Sequence, residues 1–204
     1  YSFDDNDVSM EFDGTDDFAT LPIGSLISTL GETTIATWAN FSNAGGAWQR
    51  IFDFGSGTAV YMFLTPRMAT DGQMRFAIRT AEVGEQVVTA PAMLPSGWHH
   101  VAVVLDEAAG SMELYQDGVL LASAATILLP RDMGETTQNW LGKSQWPDAL
   151  YMGDLDDFRI YDRALSQDEI KNAMAGGMGY GIASNPTPAD ADDDVLPEMV
   201  LSWT

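Results

Sequence analysis

Between Ser96 and Ala125 the chain reads SGWHHVAVVLDEAAGSMELYQDGVLLASAA, and this stretch restricts the fold more than any other. His99 to Leu105 is apolar and β-branched, Asp106 to Ser111 (DEAAGS) has turn composition, and Met112 to Gln116 alternates. Asp117-Gly118 is a two-residue hairpin turn, after which Val119 to Ala125 returns. The spacing predicts three antiparallel strands in a meander. In the first, His99, Val101, Val103 and Leu105 share one face and Ala102 and Val104 the other, so both faces are apolar. Such a strand belongs inside a sheet covered on both sides, as in a β-sandwich. It holds no nucleophile and no metal-ligand cluster, so function is to be sought at the edges.

Strand-like runs recur on either side. Val8 to Phe12 alternates and stops at Asp13-Gly14, with Thr15 to Pro22 (TDDFATLP) as its expected hairpin partner. Leu26 to Leu30 fits a short helix or turn, and Thr34 to Phe41 (TIATWANF) a strand with Trp38 packed inward. Trp48 to Phe54, Val60 to Thr65 and Met74 to Thr80 follow at sandwich spacing. Glu82 to Ala92 reads as a polar loop or strand, Ile127 to Pro130 and Asn139 to Gly142 continue the pattern, and Gly153 to Tyr161 is the last strand. Ser166 and Glu169 then form a capping box, flanked by Leu165 and Ile170 as a hydrophobic staple, which predicts a helix from Gln167 to Ala175 ending at Gly176-Gly177. Asn185 to Asp194 (NPTPADADDD) is a Pro/Asp linker, and Val195 to Thr204 reads as a single strand opening a further domain. The expected fold is all-β, an antiparallel two-sheet sandwich over residues 1–179 with one short C-terminal helix.

At 204 residues and 46% apolar content the chain is long enough to bury a core. No run of about 18 apolar residues crosses a membrane. The absence of cysteine excludes disulfides, a thiol nucleophile and a Cys-ligated zinc site. With 30 acidic against 9 basic residues the net charge is −21, which repels nucleic-acid phosphates and anionic membranes. Highly anionic polysaccharides are poor partners too, unless calcium or a local Arg patch mediates. The same surface suits solubility in a salty medium, where self-repulsion is screened.

Sugars bind by stacking their C–H faces on Trp or Tyr rings, oriented by a few polar groups. Trp38 and Trp98 read as core. Trp48, after Gly45-Gly46, and Trp146, in the polar loop KSQWPDALY, are the expected exposed rings. Gln145, Asp148, Tyr151, Arg67 and Arg75 lie near them in sequence or in matching loops. The period-2 rule places Asp156 on the face of Phe158 and Ile160, where a carboxylate needs a partner or a metal. Asp13, Asp16 and Asp17 flank a Gly turn and offer the hard oxygens that calcium takes. For catalysis, Asp154 with Asp156 and Glu113 with Asp117 share strand faces but lack a cleft signature, and His99-His100 open the buried strand. No catalytic residue is assigned.

The phrases GWHHVAVVLDEAAGSMELYQDG, NWLGKSQ and GDLDDFRIYDRALSQDEI, preceded by FDGTDDFATLP and TIATWANF, resemble the laminin G-like (concanavalin A-like jelly-roll) family over Val8 to Ala175. RIFDFGSGTAVYMFLTP, RFAI, GEQ and TTQNWLGKSQ resemble modules of that family appended to secreted bacterial glycoside hydrolases and surface proteins. The tail NPTPADADDDVLPEMVLSWT resembles a linker opening a fibronectin type III-like domain. The resemblance implies a non-catalytic, secreted or cell-surface bacterial module that binds polysaccharide beside neighbouring domains of the same polypeptide. A protein-adhesion or spacer role is the alternative. It also implies one structural Ca2+, pointing to Asp13, Asp17 and Asp156.

Overall fold

The computed structural model describes residues 9–69 and 72–176. Among the described residues twelve antiparallel strands form two six-stranded sheets. Sheet A has the order β1 (Met10–Asp13), β12 (Met152–Tyr161), β3 (Thr33–Phe41), β8 (Trp98–Asp106), β9 (Ser111–Gln116), β10 (Val119–Ala125). Sheet B has the order β2 (Ala19–Thr20), β11 (Gln138–Leu141), β4 (Phe52–Gly55), β5 (Tyr61–Thr65), β6 (Arg75–Thr80), β7 (Gly84–Thr89). The meander appears as β8, β9 and β10, with Asp117 and Gly118 both at positive φ in its tight turn.

The inner faces meet in one core. Ile35, Ala39, Phe41, Val101, Val103, Leu105 and Leu155 of sheet A pack against Phe52, Phe54, Met62, Leu64, Phe76 and Ile78 of sheet B. At the open edge, Gln86 ties the sheets together: its Oε1 accepts from the Ile127 N–H at 2.9 Å and from the Thr126 hydroxyl. The outer face of sheet A is sealed by α2 (Gln167–Met174). Leu165, Ile170 and Ala173 lie over Ala36, Ala102, Val104, Tyr115 and Tyr161, whose small members let the helix approach. Ser166 caps this helix as expected, its backbone N–H donating to Glu169 Oε2 at 2.8 Å. That hydrogen bond holds the Glu169 carboxyl down to about 2.

Four expectations change. The segment after Asp13 is not a hairpin partner of β1: β2 pairs with β11 in the other sheet, so residues 14–18 carry the chain from one sheet edge to the other. Residues 127–133 form no strand, and a 3-10 turn (Pro130–Met133) closes that corner instead. Trp38 points outward, edge-on to His100 at 5.5 Å, because Ile35, Ala39 and Phe41 take the inward register of β3. Trp98 also lies on the outside, 43% exposed. Residues 180–204, read as a linker and a following domain, lie outside the described residues. A short α1 (Gly24–Ile27) occupies the segment expected to be a helix or turn.

Candidate functional site

Alternation along β4 to β7 sets Asp53, Phe63, Ala77 and Val87 in one row on the outer face of sheet B, while Phe52, Met62, Phe76 and Val88 point into the core. Among the described residues no helix covers this face. Two loops arch over it, residues 42–51 and 142–151, and between them lies a cleft of about 300 Å³ lined by Trp48, Arg50, Phe63, Arg75, Glu85, Trp146 and Asp148.

Each wall has a local cause. Trp48 adopts φ +64°, a left-handed conformation that a bulky side chain takes only when its surroundings impose it. Its N–H donates to the Arg67 carbonyl at 2.9 Å, and its carbonyl accepts from Arg50 Nη1. Gln49, almost fully buried, clamps the loop: Nε2 donates to the carbonyls of Ala44 and Gly46, and Oε1 accepts from the Met152 N–H at 2.8 Å. Opposite, Trp146 stands edge-on to Tyr61 at 4.8 Å and to Phe63 at 6.1 Å. The Arg50 guanidinium lies 4.0 Å from the Phe63 ring centroid, between the two indoles.

Arg50 organises the charges. Nε donates to Asp53 Oδ2 at 3.3 Å and Nη2 to Asp148 Oδ2 at 3.0 Å. Asp53 also accepts the Gln145 N–H at 3.0 Å, but its Oδ1 has no partner, and burial pushes its carboxyl up to about 7 against the pull of Arg50. At the other rim Glu85 accepts from the Tyr61 hydroxyl at 2.7 Å and pairs with Arg75.

Of the residues expected from sequence, Trp48, Trp146, Asp148 and Arg75 meet in this cleft. Arg67 stands behind it, donating to the Gly45 carbonyl at 3.2 Å. Gln145 is structural: Oε1 accepts from the Gly57 N–H and Nε2 donates to the Gln138 carbonyl, each at 2.9 Å. Tyr151 is a core residue with no exposure, packed edge-on to Phe12, so it is not in reach of a ligand; its KSQWPDALY neighbours form the loop and it forms the anchor. Arg50, Phe63 and Glu85 are additions that sequence reasoning missed. The signal for Phe63 was present in YMFLT, where Met62 and Leu64 claim one face and leave Tyr61 and Phe63 apolar on the other; Arg50 and Glu85 had none.

The acidic residues divide. Asp13, Asp16 and Asp17 bring carboxylate oxygens within 4.8 Å of one another, all exposed. Asp156 does not join them. Asp13 pairs with Met152 and Met10 with Leu155, so Asp156 stands four ladder positions from Asp13's partner, about 13 Å along the strand. Nor does it share the face of Phe158 and Ile160. A bulge at Asp157 (φ +51°) shifts the register, leaving Asp156 opposite Trp38 on the outside while Phe158 packs inward against Phe52 and Phe54. Asp154 accepts from Asn40 at 2.9 Å, Glu113 from the Tyr115 hydroxyl at 2.6 Å, and Asp117 contacts His99 Nδ1 at 2.7 Å.

A sequence-family profile described as the concanavalin A-like lectin/glucanases superfamily matches residues 13–171. The chain belongs to that superfamily. No curated protein is significantly similar in sequence. Among solved structures, the CBM40 of the Ruminococcus gnavus IT-sialidase, bound to α2,3-sialyllactose, superposes with a TM-score of 0.67 at 18% identity, covering 81% of this chain and 95% of that one. Domain 4 of AbnA, an extracellular GH43 arabinanase from Geobacillus stearothermophilus in complex with arabinotriose, gives 0.67 at 18% identity, covering 80% and 75%. The leech intramolecular trans-sialidase gives 0.67 at 19%, covering 83% of this chain and 27% of that one. At these identities the likeness establishes the jelly-roll fold.

Proposed function

We propose that this domain binds carbohydrate, without catalysis, in the cleft between Trp48 and Trp146. The observation that carries the reading is the pairing of two indole walls over an aromatic floor with a polar rim of Arg75, Glu85 and Asp148. Pyranose and furanose rings present C–H faces to such walls and hydroxyls to such a rim. The arabinotriose and sialyllactose bound to the two similar structures support an oligosaccharide as the ligand. In this reading the domain is an accessory module of a secreted or cell-surface bacterial protein, and it raises the effective concentration of whatever is tethered to it on a repeating glycan. Titration of oligosaccharides against intrinsic Trp fluorescence tests it: saturable quenching that disappears in Trp48→Ala and Trp146→Ala is expected, and quenching that survives both removes this cleft as the site.

A structural Ca2+ is proposed at the turn of Asp13, Asp16 and Asp17. The donors fit in type, three hard carboxylates on an exposed turn where water can complete the shell. Asp156 has no part in it.

A further inference from the structure

We infer that the cleft selects neutral glycans over carboxylate-bearing ones. This rests on the reading of the cleft as a carbohydrate site. Both arginines that line it already hold ion pairs with carboxylates of the cleft. Arg50 spends Nε on Asp53, Nη2 on Asp148 and Nη1 on the Trp48 carbonyl, and its guanidinium lies on Phe63 with the side chain 3% exposed. Arg75 places Nη2 on Glu85 and Nη1 3.7 Å from Met68 Sδ, and its side chain is 20% exposed. The carboxylates are the more accessible partners: Glu85 is 30% exposed and Asp148 26%. A ligand entering between the indoles therefore meets acceptors before donors.

Hydroxyl groups donate to such acceptors with no charge to neutralise, and the exposed edge of Arg75 returns a donor. A sugar carboxylate meets Glu85 and Asp148 as like charges. Arg50 joins it only by breaking a standing ion pair and leaving a carboxylate behind, and the charge of Arg75 is already balanced by Glu85. The net charge of −21 opposes its approach from further out.

The test is the 204-residue chain on an array of neutral and carboxylated oligosaccharides, with lactose and 3′-sialyllactose, and neutral galactotriose and trigalacturonate, as matched pairs. Neutral members are expected to bind at least about tenfold tighter than their acidic matches, with affinity nearly independent of salt between 50 and 300 mM by order of magnitude. Glu85→Gln, checked for an unchanged melting profile, is expected to narrow that ratio by about threefold or more, through weaker neutral binding and stronger acidic binding. Acidic glycans bound as tightly as neutral ones, with affinity falling steeply in salt, overturn the inference and leave the carbohydrate reading standing. Binding of neither class on the array removes the carbohydrate reading and the inference with it. The salt dependence needs no variant, so the inference stays testable if Glu85→Gln misfolds.

Discussion

The two outer faces of this sandwich are both apolar at their centres and end differently. On sheet A, Ala36, Ala102 and Val104 keep the surface low, and α2 lies directly on it with Ile170 fully buried. On sheet B, Tyr61 and Phe63 raise the surface, and among the described residues only loops reach over it, leaving a gap lined with rings. A helix on small residues makes a wall. Loops that prop two Trp side chains above aromatic residues make a recess. If the proposed carbohydrate reading holds, the protein spends one face on stability and the other on recognition.

That contrast can be broken most forcefully at α2. Ile170→Ala is expected to cost about 2–5 kcal/mol of unfolding free energy by urea denaturation, while glycan affinity of the folded protein stays unchanged. Lost affinity in the still-folded variant would mean that the two faces are coupled. Trp146→Ala should do the reverse, weakening binding by about 1–3 kcal/mol in titration calorimetry with a smaller change in stability. Trp98→Ala, on the outer face of sheet A, should leave binding as it is.

A finer separation uses pH. Burial raises Asp53 on the sheet B side to about 7 and lowers His100 on the sheet A side to about 4. Between about 4 and 7 folded Asp53 holds a proton that the unfolded chain has released, so its contribution to stability falls as pH rises through that window and is flat above it. His100 has the opposite sign: the unfolded chain takes up a proton below about 6.5 and the folded one only near 4, so its contribution is complete above 6.5 and is lost as pH falls. In the native protein the two slopes oppose each other. Asp53→Asn should therefore leave stability rising from pH 4.5 to 6.5 relative to the native protein, and His100→Gln should leave it falling, each by on the order of 1 kcal/mol in urea midpoints. Identical profiles for both variants would show that neither group titrates as a buried one.

How far these faces were readable in sequence follows from the range of the forces that shape them. The meander was legible because period-2 alternation and an Asp-Gly turn are local, and α2 because its capping box and staple span six residues. The two apolar faces of β8 were legible as well, although the cover on one of them is α2 and not a second sheet. What failed was set at long range. The partner of β2 is chosen by β11, more than a hundred residues away. Trp38 and Trp98 are large enough to suggest a core, but the register of β3 and β8 gives the inside to smaller neighbours. The bulge at Asp157 turned a correct alternation rule into a wrong face for Asp156. The cleft joins Arg50 to Asp148 across 98 positions, so its Trp residues were visible in the loops, although they are half-buried against Tyr61 and Phe63 and not exposed, while its floor and its ion pairs were not.

The smallest effect concerns calcium. Saturating Ca2+ is expected to raise the unfolding free energy by about 1 kcal/mol. Asp17→Asn should abolish the shift and Asp156→Asn should retain it, measured as melting temperature in calcium against EDTA. Equal melts in both solutions remove the ion from the Asp13 turn.

The most direct test of the central claim is an NMR titration that follows the indole N–H signals of the six Trp residues as a bound oligosaccharide is added. If the loop-covered face of sheet B is the recognition surface, the Trp48 and Trp146 signals shift together and saturate with one dissociation constant, while those of Trp38 and Trp98 stay in place. Shifts at Trp38 and Trp98 with Trp48 and Trp146 unmoved would put recognition on the opposite sheet and contradict the account.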